Sequence, residues 1–226
     1  MHAAATDPLS LRRARAARMH GLYALTPECD DTQALVAKVS AALEGGATTV
    51  QYRSKRAPAG RVAQAQALAR LIAARGGLYI VNDDPELAMA VDADGVHIGR
   101  DDASIMAARE RVGPERLVGV SCYADLGRAR DAVAQGADYV AFGSFFVSTV
   151  KPHAQRADPA LLREARALGV PVVAIGGINA DNVQSLIDAG ADAVAVISDV
   201  FDHAHVDDVR NAADAIARRF ASRHAS

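Results

Sequence analysis

Tryptophan is absent from this chain, and Phe, Tyr and Trp together make up only 4% of it. A core must therefore be built mainly from Ala, Val, Leu and Ile, which suits parallel strands covered on both faces. Cysteine is nearly absent too. Cys29 and Cys122 provide neither a disulfide framework nor a metal-ligand spacing, which fits a reducing, cytoplasmic setting. No apolar run approaches the length of a membrane span. The first 19 residues carry Arg12, Arg13, Arg15 and Arg18 against one acid, Asp7, with no apolar h-region behind them. That pattern argues against a secretory signal and for a basic extension, helical or partly disordered, over 1–19. A formal net charge of −2 offers nucleic acid and membrane surfaces no attractive field. Small molecules are the expected partners. Lysine is scarce as well: of 25 basic residues only Lys38, Lys55 and Lys151 are lysines, and the last two fall in loops that matter below.

What the chain does contain is alternation. β-rich runs at Gly21–Thr26, Thr48–Arg53, Gly77–Val81, Gly95–Gly99, Leu117–Ser121, Tyr139–Gly143, Pro171–Gly176 and Ala193–Ser198 are separated by Ala/Leu-rich stretches of helical period. Those stretches lie around 31–44, 59–75, 85–91, 103–112, 124–135, 159–168, 180–189 and 205–221. Gly46, Gly136 and Gly190 each precede a strand, where glycine can end a helix in the left-handed conformation. Strict βα alternation predicts parallel strands, and eight units allow the sheet to close. The predicted architecture is α/β: a single (β/α)8 TIM barrel over 20–226 with an N-terminal helical extension. A doubly wound open sheet would want G-x-G-x-x-G after an early strand, and none is present.

Chemistry in such a barrel sits on loops at the strands' C-terminal ends. After the second strand, Gln51, Arg53 and Lys55 share one face and point to the barrel mouth, where two cations suit a multiply charged anion. The bland alternative is a solvated charge cluster. The third strand ends in Asn82-Asp83-Asp84-Pro85, where Asp84 reads as an N-cap with Pro at the first helical position. Asn82 and Asp83 are left over. After the fourth strand come Arg100, Asp101 and Asp102, and one of these acids is a candidate cap for the next helix. Carboxylates on neighbouring strands beside an anion site make sense if Mg²⁺ bridges them to phosphate oxygens.

Ser121 has no evident His/Asp partner and reads as a hydrogen-bond donor; Cys122 reads as packing, and His97 as a satisfied core histidine. The other histidines, His2, His20, His153, His203, His205 and His224, show no zinc-like spacing. The sixth loop, from Phe145-Phe146 through Ser148 to Lys151-Pro152, is long enough to close over a substrate. Gly176-Gly177 after the seventh strand and Ile197-Ser198 after the eighth, the latter opening a short helix, form the recurrent phosphate site of these barrels.

Read together, these phrases resemble the thiamine phosphate synthase family. The pieces are Gly21-Leu22-Tyr23, Gln51-Tyr52-Arg53-Ser54-Lys55, Asn82-Asp83-Asp84, Ala93-Asp94-Gly95-Val96-His97-Ile98-Gly99, Ser121-Cys122-Tyr123, Phe145-Phe146 with Lys151-Pro152, Ala174-Ile175-Gly176-Gly177-Ile178 and Val196-Ile197-Ser198. They run in the family's order, and it is the ordered set that is specific. The resemblance implies joining of an aminopyrimidine methyl diphosphate to a thiazole phosphate, with release of diphosphate. It implies Mg²⁺ on Asp83 and Asp102. Gln51, Arg53, Lys55, Asn82 and Lys151 would bind the diphosphate with Ser121 close by, and Ser148, Gly177, Ile197 and Ser198 would hold the thiazole phosphate. Arg53, Lys55, Ser121 and Lys151 would be the catalytic set.

Three positions depart from the family's pattern: Arg100 where Gln or Glu is usual, and Val147 and Val150 in place of a Pro and a Thr. The rival readings are a thiazole tautomerase-like relative and a non-catalytic phosphate- or thiamine-binding barrel. The histidine associated with the tautomerase is not present just after the fifth strand. A Schiff-base aldolase using Lys55 or Lys151 would want a dry apolar pocket around the lysine. A homo-oligomer is compatible with all of these.

Overall fold

Eight strands of four to seven residues are hydrogen-bonded in chain order, all parallel, and the first pairs with the last to close a barrel. In the computed structural model, residues 7–55, 60–99, 104–147 and 156–221 are described. The strands are β1 Gly21–Leu25, β2 Ala47–Tyr52, β3 Leu78–Asn82, β4 Gly95–Ile98, β5 Leu117–Tyr123, β6 Tyr139–Gly143, β7 Val172–Ile175 and β8 Ala193–Val196. Around them lie α2 Thr32–Glu44, α3 Arg61–Ala74, α4 Pro85–Ala90, α5 Ile105–Val112, α6 Leu126–Ala134, α7 Ala160–Ala165, α8 Val183–Ala189, α9 Ser198–Phe201 and α10 Val206–Ala221, with α1 Pro8–Ala17 ahead of the barrel. None of the described helices is long and apolar enough to cross a membrane.

Local chemistry sets most of these boundaries. Asp31 accepts from the N–H groups of Gln33 and Ala34 at 2.8 and 3.0 Å, and Asp125 from Arg128 at 3.0 Å. Asp84 accepts from Leu87 at 2.9 Å with Pro85 in the first turn, as the sequence implies. Each such cap contributes about 1 kcal/mol. Gly46, Gly136 and Gly190 all have positive φ, between 96° and 107°, and turn a finished helix back into a strand.

The structure corrects several details. The cap of α5 is Ser104, whose hydroxyl accepts from the Ala107 N–H at 3.2 Å. An acid at 101 or 102 is not the cap, because the capping side chain must stand directly before the first helical residue. The stretch expected to be helical over 159–168 tightens into a 3-10 turn at Arg166–Leu168. α8 begins only at Val183, because Asn179 Oδ1 takes the N–H groups of Asp181 and Asn182 and makes a local turn.

Between strands and helices the core is aliphatic, as composition requires; Leu35, Val39 and Ala42 of α2 are all but inaccessible. Inside the barrel two tyrosines join it. There Tyr23 and Tyr139 pack with Leu25, Leu78, Ile80, Leu117 and Val173 above Met19, and Tyr52 and Tyr79 are buried elsewhere. Four of the chain's five tyrosines are therefore interior.

The N-terminal end of the barrel is closed by a repeated device. Asp94, Asp138 and Asp192 each stand just before or at the start of a strand. Each carboxylate accepts a neighbouring strand's N–H, from Tyr79, Val118 and Val172 respectively, at 2.8–2.9 Å. The basic residues of the extension find their use here. α1 lies across this end, with Arg15 on Asp94 at 3.1 Å and Arg12 on Asp138 at 3.0 Å. Arg18 donates to the Gly76 carbonyl at 2.7 Å.

Candidate active site

At the opposite end the strands open into a cavity of about 700 Å³. Period-two alternation carries Gln51, Arg53 and Lys55 into it from β2 and the loop beyond, and Ser121 from β5. Asn82 and Asp83 reach it from the end of β3, while Gly177, Ile197 and Ser198 line it from the loops after β7 and β8. Nine of the sequence-selected residues thus face one space. Asp102, Ser148 and Lys151 lie outside the described residues, as do Arg100 and Val150.

On the cationic side, Arg53 is held by its own backbone, whose N–H bonds Thr26 Oγ1 at 2.9 Å, and by Glu28 at 3.5 Å. Glu28 also accepts the Lys55 N–H at 2.8 Å. Sequence reasoning missed Glu28, which gives no signal because the contact joins the loops after β1 and β2. Asp83 takes a left-handed φ of 60°, unusual for a residue with a Cβ, and its N–H donates to the His97 carbonyl at 2.8 Å. Asn82 donates from its side-chain amide to the Asp83 carboxylate.

On the glycine side, both glycines have positive φ, 109° at Gly176 and 65° at Gly177. A Cβ on Gly177 would lie 2.3 Å from the Val147 carbonyl oxygen, and one on Gly176 would lie 2.1 Å from Ser144 Oγ. The bare backbone is needed because the sixth loop presses on it: the Phe146 N–H donates to the Gly176 carbonyl at 3.0 Å. Phe145 is buried and Phe146 partly so, which answers how two phenylalanines stand together in a loop. Beside them α9 begins after Ile197, and its first residue, Ser198, lines the cavity. Asp199 in that turn also lines the cavity. Burial pushes its carboxyl up, opposed by nearby His203 and by a hydrogen bond from the Ala180 backbone.

Ser121 differs from the sequence reading. It has a histidine partner: His97 Nε2 lies 2.9 Å from Ser121 Oγ. The pair is invisible in sequence because the two residues come from adjacent strands separated by a whole helix. His97 itself is, as expected, a buried histidine with both ring nitrogens engaged, the other meeting Tyr139 Oη at 3.1 Å. Cys122 is buried packing, and burial pushes its thiol up to about 12, far from a reactive thiolate.

Comparison with known proteins agrees with this geometry. The family profile described as thiamine monophosphate synthase matches residues 22–200, from β1 to α9. The chain is 52% identical over 207 residues to the thiamine-phosphate synthase of Chromobacterium violaceum, covering 91% of this chain and 99% of that protein. It is 56% identical over 204 residues to that of Thiobacillus denitrificans, covering 89% and 95%. Among solved structures, thiamine phosphate pyrophosphorylase from Pyrococcus furiosus superposes with a TM-score of 0.79 at 36% identity, covering 92% of this chain and 98% of that one. With its closed barrel, its cationic and glycine-rich cavity walls and these relatives, the chain belongs to the thiamine monophosphate synthase family.

Proposed function

We propose that the cavity joins an aminopyrimidine methyl diphosphate to a thiazole phosphate, with Mg²⁺ as the metal. The observation that supports this reading is that one cavity receives both cationic side chains and a glycine-rich turn, from different strands. Arg53 and Lys55 enter it from the end of β2 and the loop beyond, and the Gly176-Gly177 turn and the start of α9 from the ends of β7 and β8. The cations suit a leaving diphosphate and the turn a partner's monophosphate.

The residues present fit a magnesium ion that shares its ligands with substrate phosphates, which needs only one or two protein carboxylates. Asp83 lines the cavity beside Arg53 and Lys55, with Asn82 bonded to it, and Asp102 would complete the set. When bound, Mg²⁺ supplies neutralisation of the charge that develops on the departing diphosphate.

The protein's own part is electrostatic and geometric. Arg53, Lys55 and Lys151 take the diphosphate oxygens with Gln51 and Asn82, and Ser121 donates a hydrogen bond to them. The C–O bond to diphosphate breaks with its electron pair leaving on oxygen. The pyrimidine stabilises the resulting cation, and the thiazole nitrogen's lone pair forms the new C–N bond. Ser148, the Gly177 backbone, Ile197 and Ser198 hold the thiazole phosphate so that this nitrogen faces the reacting carbon. Phe145 and Phe146, packed across the glycine turn, help to keep water from the cation.

The test supplies both substrates with and without Mg²⁺ and follows thiamine phosphate and diphosphate. The expected result is metal-dependent, equimolar formation of both. Binding of both substrates without turnover would favour a non-catalytic barrel, and rearrangement of a thiazole alone would favour the tautomerase-like relative.

A further inference from the structure

Five side chains from five strands form one hydrogen-bonded chain across the barrel interior, and all but Tyr139 also line the cavity. Gln51 Nε2 donates to Tyr23 Oη at 2.7 Å, and Tyr23 Oη lies 3.1 Å from Tyr139 Oη. Tyr139 Oη lies 3.1 Å from His97 Nδ1, and His97 Nε2 lies 2.9 Å from Ser121 Oγ. Burial raises the phenols of Tyr23 and Tyr139 well above their ordinary range, so both are neutral hydroxyls with one proton each. Room for this arrangement comes from Gly119: a Cβ there would sit 1.9 Å from Tyr139 Cζ.

The direction of the chain follows from its first member. An amide nitrogen only donates, so Tyr23 accepts from Gln51, and the arrangement that leaves no buried hydroxyl proton unused has Tyr23 donating to Tyr139. Tyr139 then donates to His97 Nδ1. The nitrogen that accepts carries no proton, so the ring's proton is on Nε2 and points at Ser121 Oγ. Ser121 therefore accepts from His97, and its own hydroxyl proton is free to turn to the cavity it lines. In the opposite direction His97 would accept from Ser121 as a general base does, and the Gln51 end would need an acceptor where the amide nitrogen stands.

We propose that Gln51, Tyr23, Tyr139 and His97 are positioning residues that fix the hydrogen-bond direction at Ser121, making it a donor to the leaving diphosphate and preventing it from being a nucleophile. This rests on the proposed transfer reaction for its consequence, although the direction itself does not. The Ser–His pair resembles the start of a hydrolytic dyad, and the chain behind it assigns the opposite polarity.

Long-range ¹H–¹⁵N correlation of the ¹⁵N-labelled full-length protein reads the tautomer directly. His97 is expected to carry its single proton on Nε2; a proton on Nδ1, or on both nitrogens, overturns the inference. Kinetics give a second reading. Tyr139→Phe keeps the ring beside Gly119 but deletes the link, and should lower kcat about tenfold, the order of one hydrogen bond to a charged group, with both KM values within about twofold. Ser121→Ala should lower kcat by about thirtyfold, and Tyr139→Phe should cost nothing further in that background. Full, additive losses in the double variant would mean that Tyr139 is merely structural and sink the proposal. If the wild-type protein makes no thiamine phosphate at all, the functional reading fails while the tautomer still decides the chain's direction.

Discussion

The two ends of this barrel handle the same residue types in opposite ways. At the N-terminal end each aspartate is paired: Asp94, Asp138 and Asp192 accept strand N–H groups, and Arg12, Arg15 and Arg109 meet two of them. At the C-terminal end Asp83, Asp199, Arg53 and Lys55 line an open cavity, and the backbone is bent to bring them there, as at Asp83, Gly176 and Gly177. One end uses its charges to hold the strands in register. The other turns its charges toward a space that a ligand can enter, with Arg53 on Glu28 and Asp83 bonded by Asn82.

The sharpest way to break that comparison is at Asp138. Its carboxylate is only 10% exposed, and burial pushes its carboxyl up against the pull of the Val118 N–H, Arg109 and Arg12. Asp138→Ala leaves the half-buried Arg109 guanidinium without its counter-charge and Val118 without an acceptor. A stability loss of about 3–5 kcal/mol is expected in denaturant unfolding, with kcat/KM of the remaining folded protein near wild type. Asp138→Asn, which keeps one acceptor for Val118, should lose less. Catalysis that failed while stability held would mean the two ends are coupled.

The converse variant is Asp83→Asn. Asparagine tolerates the left-handed backbone that Asp83 adopts, so folding should be untouched. Turnover should fall at least about a hundredfold if the carboxylate holds a metal that supplies several kcal/mol of charge stabilisation. Normal activity would remove Asp83 from the metal site. A smaller, mixed effect is expected at Gly177→Ala, where the added Cβ meets the Val147 carbonyl. The sixth loop must then shift, at about 1–3 kcal/mol of stability, and the KM for the thiazole phosphate should rise while that for the diphosphate changes little. Equal changes in both would argue against separate anion sites.

What the sequence discloses about these ends is unequal too. The eight strands and most of the cavity lining are legible because each strand carries its own period and each loop its own short phrase, as in Gln51-Tyr52-Arg53-Ser54-Lys55. Relations between strands are not. Tyr23, Gln51, His97, Ser121 and Tyr139 span more than a hundred positions, and only closure of the barrel makes them neighbours. The same holds for Glu28 behind Lys55 and for the aspartates whose partners lie on the previous strand. The scarcity of aromatics was legible, but their concentration in the interior was not, since composition does not say where a tyrosine goes.

The extension offers the mildest and most local test. Arg15 donates to Asp94 at 3.1 Å and to the Glu115 carbonyl at 2.7 Å, joining α1 to the start of β4 and the turn before β5. Both members of the ion pair are partly exposed, so screening limits its worth, and Asp94 keeps its bond from Tyr79 when the arginine is gone. Arg15→Ala should therefore cost only about 1 kcal/mol, and less at high salt, with activity unaffected. If the extension is instead part of the catalytic assembly, the variant should lower kcat at unchanged stability. Thermal unfolding at two salt concentrations beside a turnover assay separates the two outcomes, because a plug at the barrel's closed end can alter the site only by loosening the strands that carry it.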